Sequence, residues 1–177
     1  MRPSKDQWAM DLALITARRA TCLRRQCGCV LLNARGHVLA TGYNGVAAGQ
    51  AHCNEDTGRV TNPALARGDG TFRPPEHWER GLIEVYGNAC HGANAPSGQS
   101  LDTCQAIHAE QNALLQCRDV YAIHTAYVTA SPCITCCKLL LNTSCERIVF
   151  FETYPHPEAR TLWEGAGRSW IHFGSLA

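Results

Sequence analysis

Apolar positions along this chain change their period several times, and each change marks an element. Trp8, Leu12 and Ile15 recur at helical spacing, with Arg19 continuing the same face, which predicts a first helix over residues 6–19. Residues 27–32 and 37–43 are two short β-prone runs joined by Asn33-Ala34-Arg35-Gly36, a turn containing glycine, and so predict an antiparallel hairpin. Gly42-Tyr43-Asn44-Gly45 ends its second strand. From residue 46 to 103 the periodicity fails in favour of Gly, Pro, Asn and Asp, with one short helix predicted over 76–85. It returns at Cys104 with a helix over 106–118 on the apolar positions Ile107, Leu114 and Leu115. A strand over 125–129, a helix over 134–142, a strand over 147–151, a helix over 156–165 and a strand over 169–173 follow. Alternation of this kind predicts an α/β fold, a sheet with helices on both faces and an antiparallel hairpin at its start.

Composition narrows what such a fold is for. The chain has 177 residues, 45% of them hydrophobic, enough for one ordinary domain with its own core. The net charge is only +1 and no basic stripe stands out, which opposes binding to a nucleic-acid polymer but not to one small nucleotide. No apolar run is long enough to span a bilayer and no signal-like segment opens the chain, so the expectation is a cytoplasmic protein with no membrane partner. Eleven cysteines, an odd number, then read as thiols rather than disulfides, and with eight histidines beside them metal binding becomes the leading account. A structureless stretch as long as 46–103 inside one domain is functional, disordered or stapled; the reading adopted is a single domain over 1–177 with a stapled insertion.

Two sequence words carry chemistry. His108-Ala109-Glu110 and Pro132-Cys133-Ile134-Thr135-Cys136 each open a predicted helix. Cys133 and Cys136 lie three apart, so one helical turn puts both sulfurs on the same face. A helix N-terminus favours the thiolates that metals require, and His108 supplies a third ligand. Three protein ligands leave a fourth position open, the arrangement of catalytic rather than structural zinc. Glu110, two residues past His108, need not ligate and is placed to move protons. A lone C-x-x-C is shared by structural zinc sites and redox motifs, but H-x-E followed by P-C-x-x-C is the pattern of zinc deaminases. The bland alternative, a closed structural zinc site or buried thiols, has no use for Glu110.

At these residues the chain resembles the deoxycytidylate (dCMP) deaminase family. The matching words are Thr21-Cys22, Thr41-Gly42-Tyr43-Asn44-Gly45, His108-Ala109-Glu110-Gln111-Asn112-Ala113, Ser131-Pro132-Cys133-Ile134-Thr135-Cys136 and Phe151-Glu152-Thr153-Tyr154. The resemblance implies a three-layer α/β/α fold around a central mixed five-stranded sheet. It also implies catalytic zinc, a homo-oligomer (often a hexamer) and control by dCTP and dTTP. Within the words, Asn44 is implied to reach the deoxyribose, although it also reads as a turn residue, and Ser131 and Tyr154 join it on the substrate side. Arg24 and Arg25 are the first choices for the phosphate, with Arg118 and Lys138 behind them, against the default of solvated surface charge.

The resemblance further implies a second, structural zinc bound by Cys22 and Cys53. Cys90, His91 and Cys104 are available to complete it, with His91 and Cys104 preferred. A weakly apolar loop cannot meet its ordering entropy by burial alone, whereas zinc can hold it; the alternative is unliganded buried thiols. Cys27, Cys29, Cys117, Cys137 and Cys145 read as small buried hydrophobes. His37, His77, His124, His156 and His172 receive no role.

The expected activity is zinc-dependent hydrolytic deamination of dCMP to dUMP and ammonia, with Glu110 shuttling protons. Still open are dCTP or a 5-substituted dCMP as substrate, a base within nucleic acid, a riboflavin precursor, and a non-catalytic zinc module.

Overall fold

In a computed structural model, which describes residues 2–54 and 104–176, the chain divides into two compact units. The first comprises Met1–Ala20, Gln26–Asn44 and Ile107–Ala177, and the second Thr21–Arg25 and Gly45–Ala106.

The first unit is built on a five-stranded sheet of Gly28–Leu32 (β1), Val38–Tyr43 (β2), Thr125–Ala130 (β5), Arg147–Glu152 (β6) and Ser169–His172 (β7), in the order β2-β1-β5-β6-β7. β1 runs antiparallel to β2 and β5, while β5, β6 and β7 are parallel, so the sheet is mixed as expected. Alternation along β1 sends Cys29 and Leu31 to one face and Val30 and Leu32 to the other. The second face is covered by Lys5–Ala17 (α1), whose Met10 packs with Val30, Leu32, Tyr127 and Val149. The first is covered by Ala109–Gln116 (α2), Ile134–Leu141 (α3) and Pro157–Gly165 (α4), through residues such as Ala113, Leu140 and Trp163. These are the three layers of an α/β/α fold.

Helix α1 is where the apolar pattern misled. Trp8 and Ile15, on the predicted stripe, are 39% and 53% exposed, and the buried face is Ala9, Met10, Ala13 and Ala17. Small size decided it: a Cβ on Gly28 would lie 2.1 Å from the Ala13 carbonyl oxygen, so helix and strand meet backbone to backbone. Ser4 starts the helix by accepting the Gln7 N–H at 3.1 Å.

The same device sets α2 on β2. A Cβ on Gly42 would lie 2.2 Å from the Ala109 carbonyl oxygen and 2.3 Å from the Ala113 nitrogen. Backbone atoms cannot swing aside, so Gly42→Ala is expected to cost about 3 kcal/mol, at the top of the ordinary overpacking range. A thermal melt should show this as a fall of about 6–12 °C. A melting temperature within 2 °C of the parent would mean that α2 does not sit this close.

Other boundaries moved by a few residues. The helix predicted from 106 begins at Ala109, because Ala106–Ile107 is a short strand (β4) and His108 is still extended at φ −69°, ψ 157°. Gly45–Val46 (β3), in the second unit, and β4 form a two-stranded sheet, both too short for any periodicity to announce. Cys53 is 1% exposed there, with Val46, Cys104 and Ala106 packed on it, and Thr21 Oγ1 lies 3.3 Å from His52 Nδ1. The predicted helix over 76–85 and the candidates Cys90 and His91 lie outside the described residues. Among the described residues no helix is long and apolar enough to cross a membrane.

Strand directions locate the business end. Since β1 opposes both β2 and β5, the carboxyl ends of β2, β5, β6 and β7 share one edge. That edge is where sheets flanked by helices hold their ligands.

Candidate active site

Strand β5 leaves the sheet at Ala130, and Ser131-Pro132 turn the chain into α3. Cys133 is the N-cap of that helix and Cys136 lies in its first turn. His108 is the N-cap of α2, where its N–H donates to Gln111 Oε1 at 2.9 Å, the backward half of a capping box. Two helix N-termini therefore present all three side chains, and positive helix ends favour anionic sulfur. His108 Nδ1 lies 3.5 Å from Cys133 Sγ and 3.4 Å from Cys136 Sγ. The three donor atoms fall within 4.8 Å of one another, the only such group of at least three among the described residues. Tetrahedral zinc with ordinary Zn–S and Zn–N bonds places sulfur and nitrogen about 3.5 Å apart, so the donor set fits.

The electrostatics agree with a thiolate site. A hydrogen bond from Cys136 pulls the Cys133 thiol down to about 3, helped by His108. The same hydrogen bond, with burial, pushes Cys136 up, so the pair shares one proton that a cation would expel. Glu110 is 7% exposed, and burial pushes its carboxyl above the usual range while His108 pulls it back. Glu110 in turn helps to push Cys136 up, which puts the carboxyl near the metal donors without adding a fourth to their group. Beneath it lie Cys29, Cys137 and Cys145, all fully buried; desolvation raises the last two to about 12, so they stay neutral thiols in the core. Cys27 and Cys117 are only half-buried, at the core margin.

The remaining candidates are distributed unevenly. Asn44 is buried with its Oδ1 accepting the Cys27 N–H at 2.7 Å, a brace between the end of β2 and the start of β1. Ser131 is buried too, and its Oγ accepts the Tyr154 N–H at 2.7 Å, tying the loop before Cys133 to the loop after β6. Arg24, Arg25 and Cys22 are half-buried in the second unit, where Cys104 packs on Cys53. Cys22, Cys53 and Cys104 do not form a three-donor group among the described residues, and His91 lies outside them. Arg118 and Lys138 are exposed.

Some positioning residues escaped the sequence reading. Asn112 Nδ2 donates to the Tyr43 carbonyl at 2.7 Å and fixes α2 to β2; its only sequence signal was membership of a matching word. Arg168 donates to the Leu140, Leu141 and Cys145 carbonyls at 2.8–3.1 Å, closing the far end of the helix that carries both cysteines. Nothing in the sequence links positions so far apart.

The profile of the cytidine and deoxycytidylate deaminase zinc-binding region matches residues 3–152, a span that includes every word of the metal site. This chain belongs to that family. The family's metal is zinc, which His108, Cys133 and Cys136 fit. Among relatives of this family member, the deoxycytidylate deaminase of Schizosaccharomyces pombe is 31% identical over 157 residues, covering 86% of this chain and 38% of that protein. The deoxycytidylate deaminase of Mycobacterium phage D29 is 31% identical over 150 residues, covering 84% and 95%. The chain thus spans about two fifths of the fungal relative and nearly all of the phage one. In structure it is similar to the dCMP deaminase of cyanophage S-TIM5 in complex with dCMP and dUMP, with a TM-score of 0.63 at 19% identity over 97% of this chain and 98% of that one. Acinetobacter baumannii RibD follows at a TM-score of 0.53 and 17% identity, over 96% of this chain and 35% of that one. At such identities the likeness is one of fold.

Proposed function

We propose that this protein catalyses the hydrolytic deamination of free dCMP to dUMP and ammonia. The observation that carries the reading is a buried carboxyl, Glu110, set against a His–Cys–Cys donor set that fits zinc and leaves one position open. The substrate is supported by the phage relative named deoxycytidylate deaminase, matched over 95% of its length. The S-TIM5 neighbour, with dCMP and dUMP bound, supports it further.

His108 Nδ1 and the sulfurs of Cys133 and Cys136 would hold the ion. Zinc bound there supplies a Lewis acid that activates water for attack at C4 of the cytosine. Glu110 takes the proton of that attacking water and delivers it to N3 of the ring. A second proton passes through the same carboxyl to the amino group, which leaves as ammonia. Glu110 is 7% exposed, and this burial keeps bulk water from competing for the protons it carries. Two thiolates nearly cancel the ion's charge, so more of the proton work falls on this residue.

Asn44 on the deoxyribose, Arg24 and Arg25 on the phosphate, and Ser131 with Tyr154 along the substrate side belong to the same proposal. So do a homo-oligomer and dCTP and dTTP control, which rest on the family words alone, and a cytoplasmic location, which rests on the sequence reading. A second zinc on Cys22, Cys53, Cys104 and His91, stapling the 46–103 insertion into one domain, is supported by the packing of Cys104 on buried Cys53. Atomic emission should then find about two zinc ions per chain, falling by about one in Cys53→Ala while the catalytic ion stays. A parent count of one removes the structural site.

The function itself is tested by ammonia release from a panel of dCMP, dCTP, 5-methyl-dCMP, deoxycytidine and a cytosine-containing oligonucleotide. dCMP is expected to give the highest kcat/KM. Turnover of the oligonucleotide at physiological salt with none of dCMP would transfer the protein to the polymer-acting deaminases.

A further inference from the structure

The Ser131 hydroxyl reaches out of the loop that carries Cys133 and holds the backbone of Tyr154, at the carboxyl end of β6. The Tyr154 ring does not stand alone. Its neighbour in space is the imidazole of His156, stacked on it with ring centroids 5.4 Å apart and planes inclined by 22°. Offset stacks of this kind are worth about 0.5–1.5 kcal/mol beyond the area they bury.

The backbone makes the stack a fixed object. The segment reads Tyr154-Pro155-His156-Pro157, so a proline ring locks φ between the two aromatics and a second proline restricts His156 from behind. His156 donates its N–H to the Tyr154 carbonyl at 2.8 Å, closing a three-residue turn around Pro155. His156 is also the N-cap of α4, where its carbonyl accepts the Ala159 N–H at 3.1 Å. Tyr154 is thus held at its amide by Ser131, at its carbonyl by His156, and across its ring by the same imidazole. This is far more support than a surface tyrosine needs, and all of it converges on the loop that opens onto the Cys133 N-cap.

We propose that His156 is a positioning residue for nucleotide binding, acting through Tyr154. The stacked imidazole holds the phenol ring in one orientation along the substrate side, and touches neither the metal donors nor the reacting atoms. It lowers the cost of ordering Tyr154 when nucleotide binds and leaves the deamination step unchanged. The inference rests on the dCMP deaminase reading and adds to it a residue to which the sequence pattern assigned no role.

The test is a double-mutant cycle on steady-state ammonia release from dCMP, with zinc content measured on every variant. His156→Ala is expected to raise KM about 2–10-fold, the size of one lost stack, with kcat within twofold and catalytic zinc retained. His156→Phe keeps a flat ring and should restore most of the KM. On a Tyr154→Ala background, His156→Ala should change nothing further, because its effect passes through the missing ring. A merely structural histidine would give the opposite pattern, with additive losses, a falling kcat and no rescue by Phe; any of these overturns the proposal, as does an unchanged KM in His156→Ala. If the parent protein is active on dCMP and the cycle fails, this inference alone is wrong. A parent that releases no ammonia from any cytosine nucleotide overturns the deaminase reading and this role with it.

Discussion

Glu110→Gln is expected to give a folded protein that keeps its catalytic zinc and still binds dCMP, yet turns it over at least about 10²–10⁴-fold more slowly. The substitution preserves the size of the side chain and most of its hydrogen bonding, but an amide cannot carry a proton from water to N3 and then to the leaving amino group. The deficit should reach the upper end of that range, because one carboxyl serves several transfers. It should appear in kcat and kcat/KM alike, the mark of an interaction made in the transition state rather than in binding. Stopped-assay kinetics with zinc analysis on the same sample decide the matter. Near-parental turnover, or loss of zinc, would remove Glu110 from the role of proton carrier.

His108→Ala should fail in a different way. Removing one of three donors leaves Cys133 and Cys136 as a two-thiol site, and the catalytic ion is expected to be lost during purification, taking activity to background. The protein should also lose stability, because an ion that binds only the folded chain stabilises it by about 4 kcal/mol at a free concentration 1,000 times its dissociation constant. With zinc supplied, His108→Ala should accordingly melt below the parent, and the two should converge when both are measured in excess chelator at neutral pH, while Glu110→Gln should retain the parent's response to chelator. A His108→Ala protein with full zinc content would assign the ion to other donors. Together the two variants separate holding the metal from moving the proton, which a single inactive mutant would confuse.

Much of the site was legible before any fold was known because it is local in sequence. His108 and Glu110 lie two apart, Cys133 and Cys136 three apart, and each pair opens a helix, so backbone geometry brings each word to a point without help from the rest of the chain. The bringing together of the two words was an inference from chemistry, and the 3.4–3.5 Å separations of His108 Nδ1 from the two sulfurs are what the fold adds. Asn44 carried two readings in the sequence, a sugar contact and a turn residue, and the fold adds that its Oδ1 accepts the Cys27 N–H, a bond spanning 17 positions.

The order of the longer elements and the spacing inside each metal-site word were determined by sequence alone, since each depends on periodicity or spacing within one helix or strand. Tertiary structure decided the face that α1 buries. Backbone-to-backbone approach at Gly28 rewards small residues over large apolar ones, and no helical period records that choice. It also decided the state of Glu110, whose carboxyl is raised by burial among elements from distant parts of the chain. The supports that converge on the cysteine-bearing helix, Ser131 through Tyr154 at one end and Arg168 at the other, are contacts between residues 23 to 28 positions apart. Such contacts come from the packing of strands and helices against one another, and a one-dimensional pattern carries no trace of them.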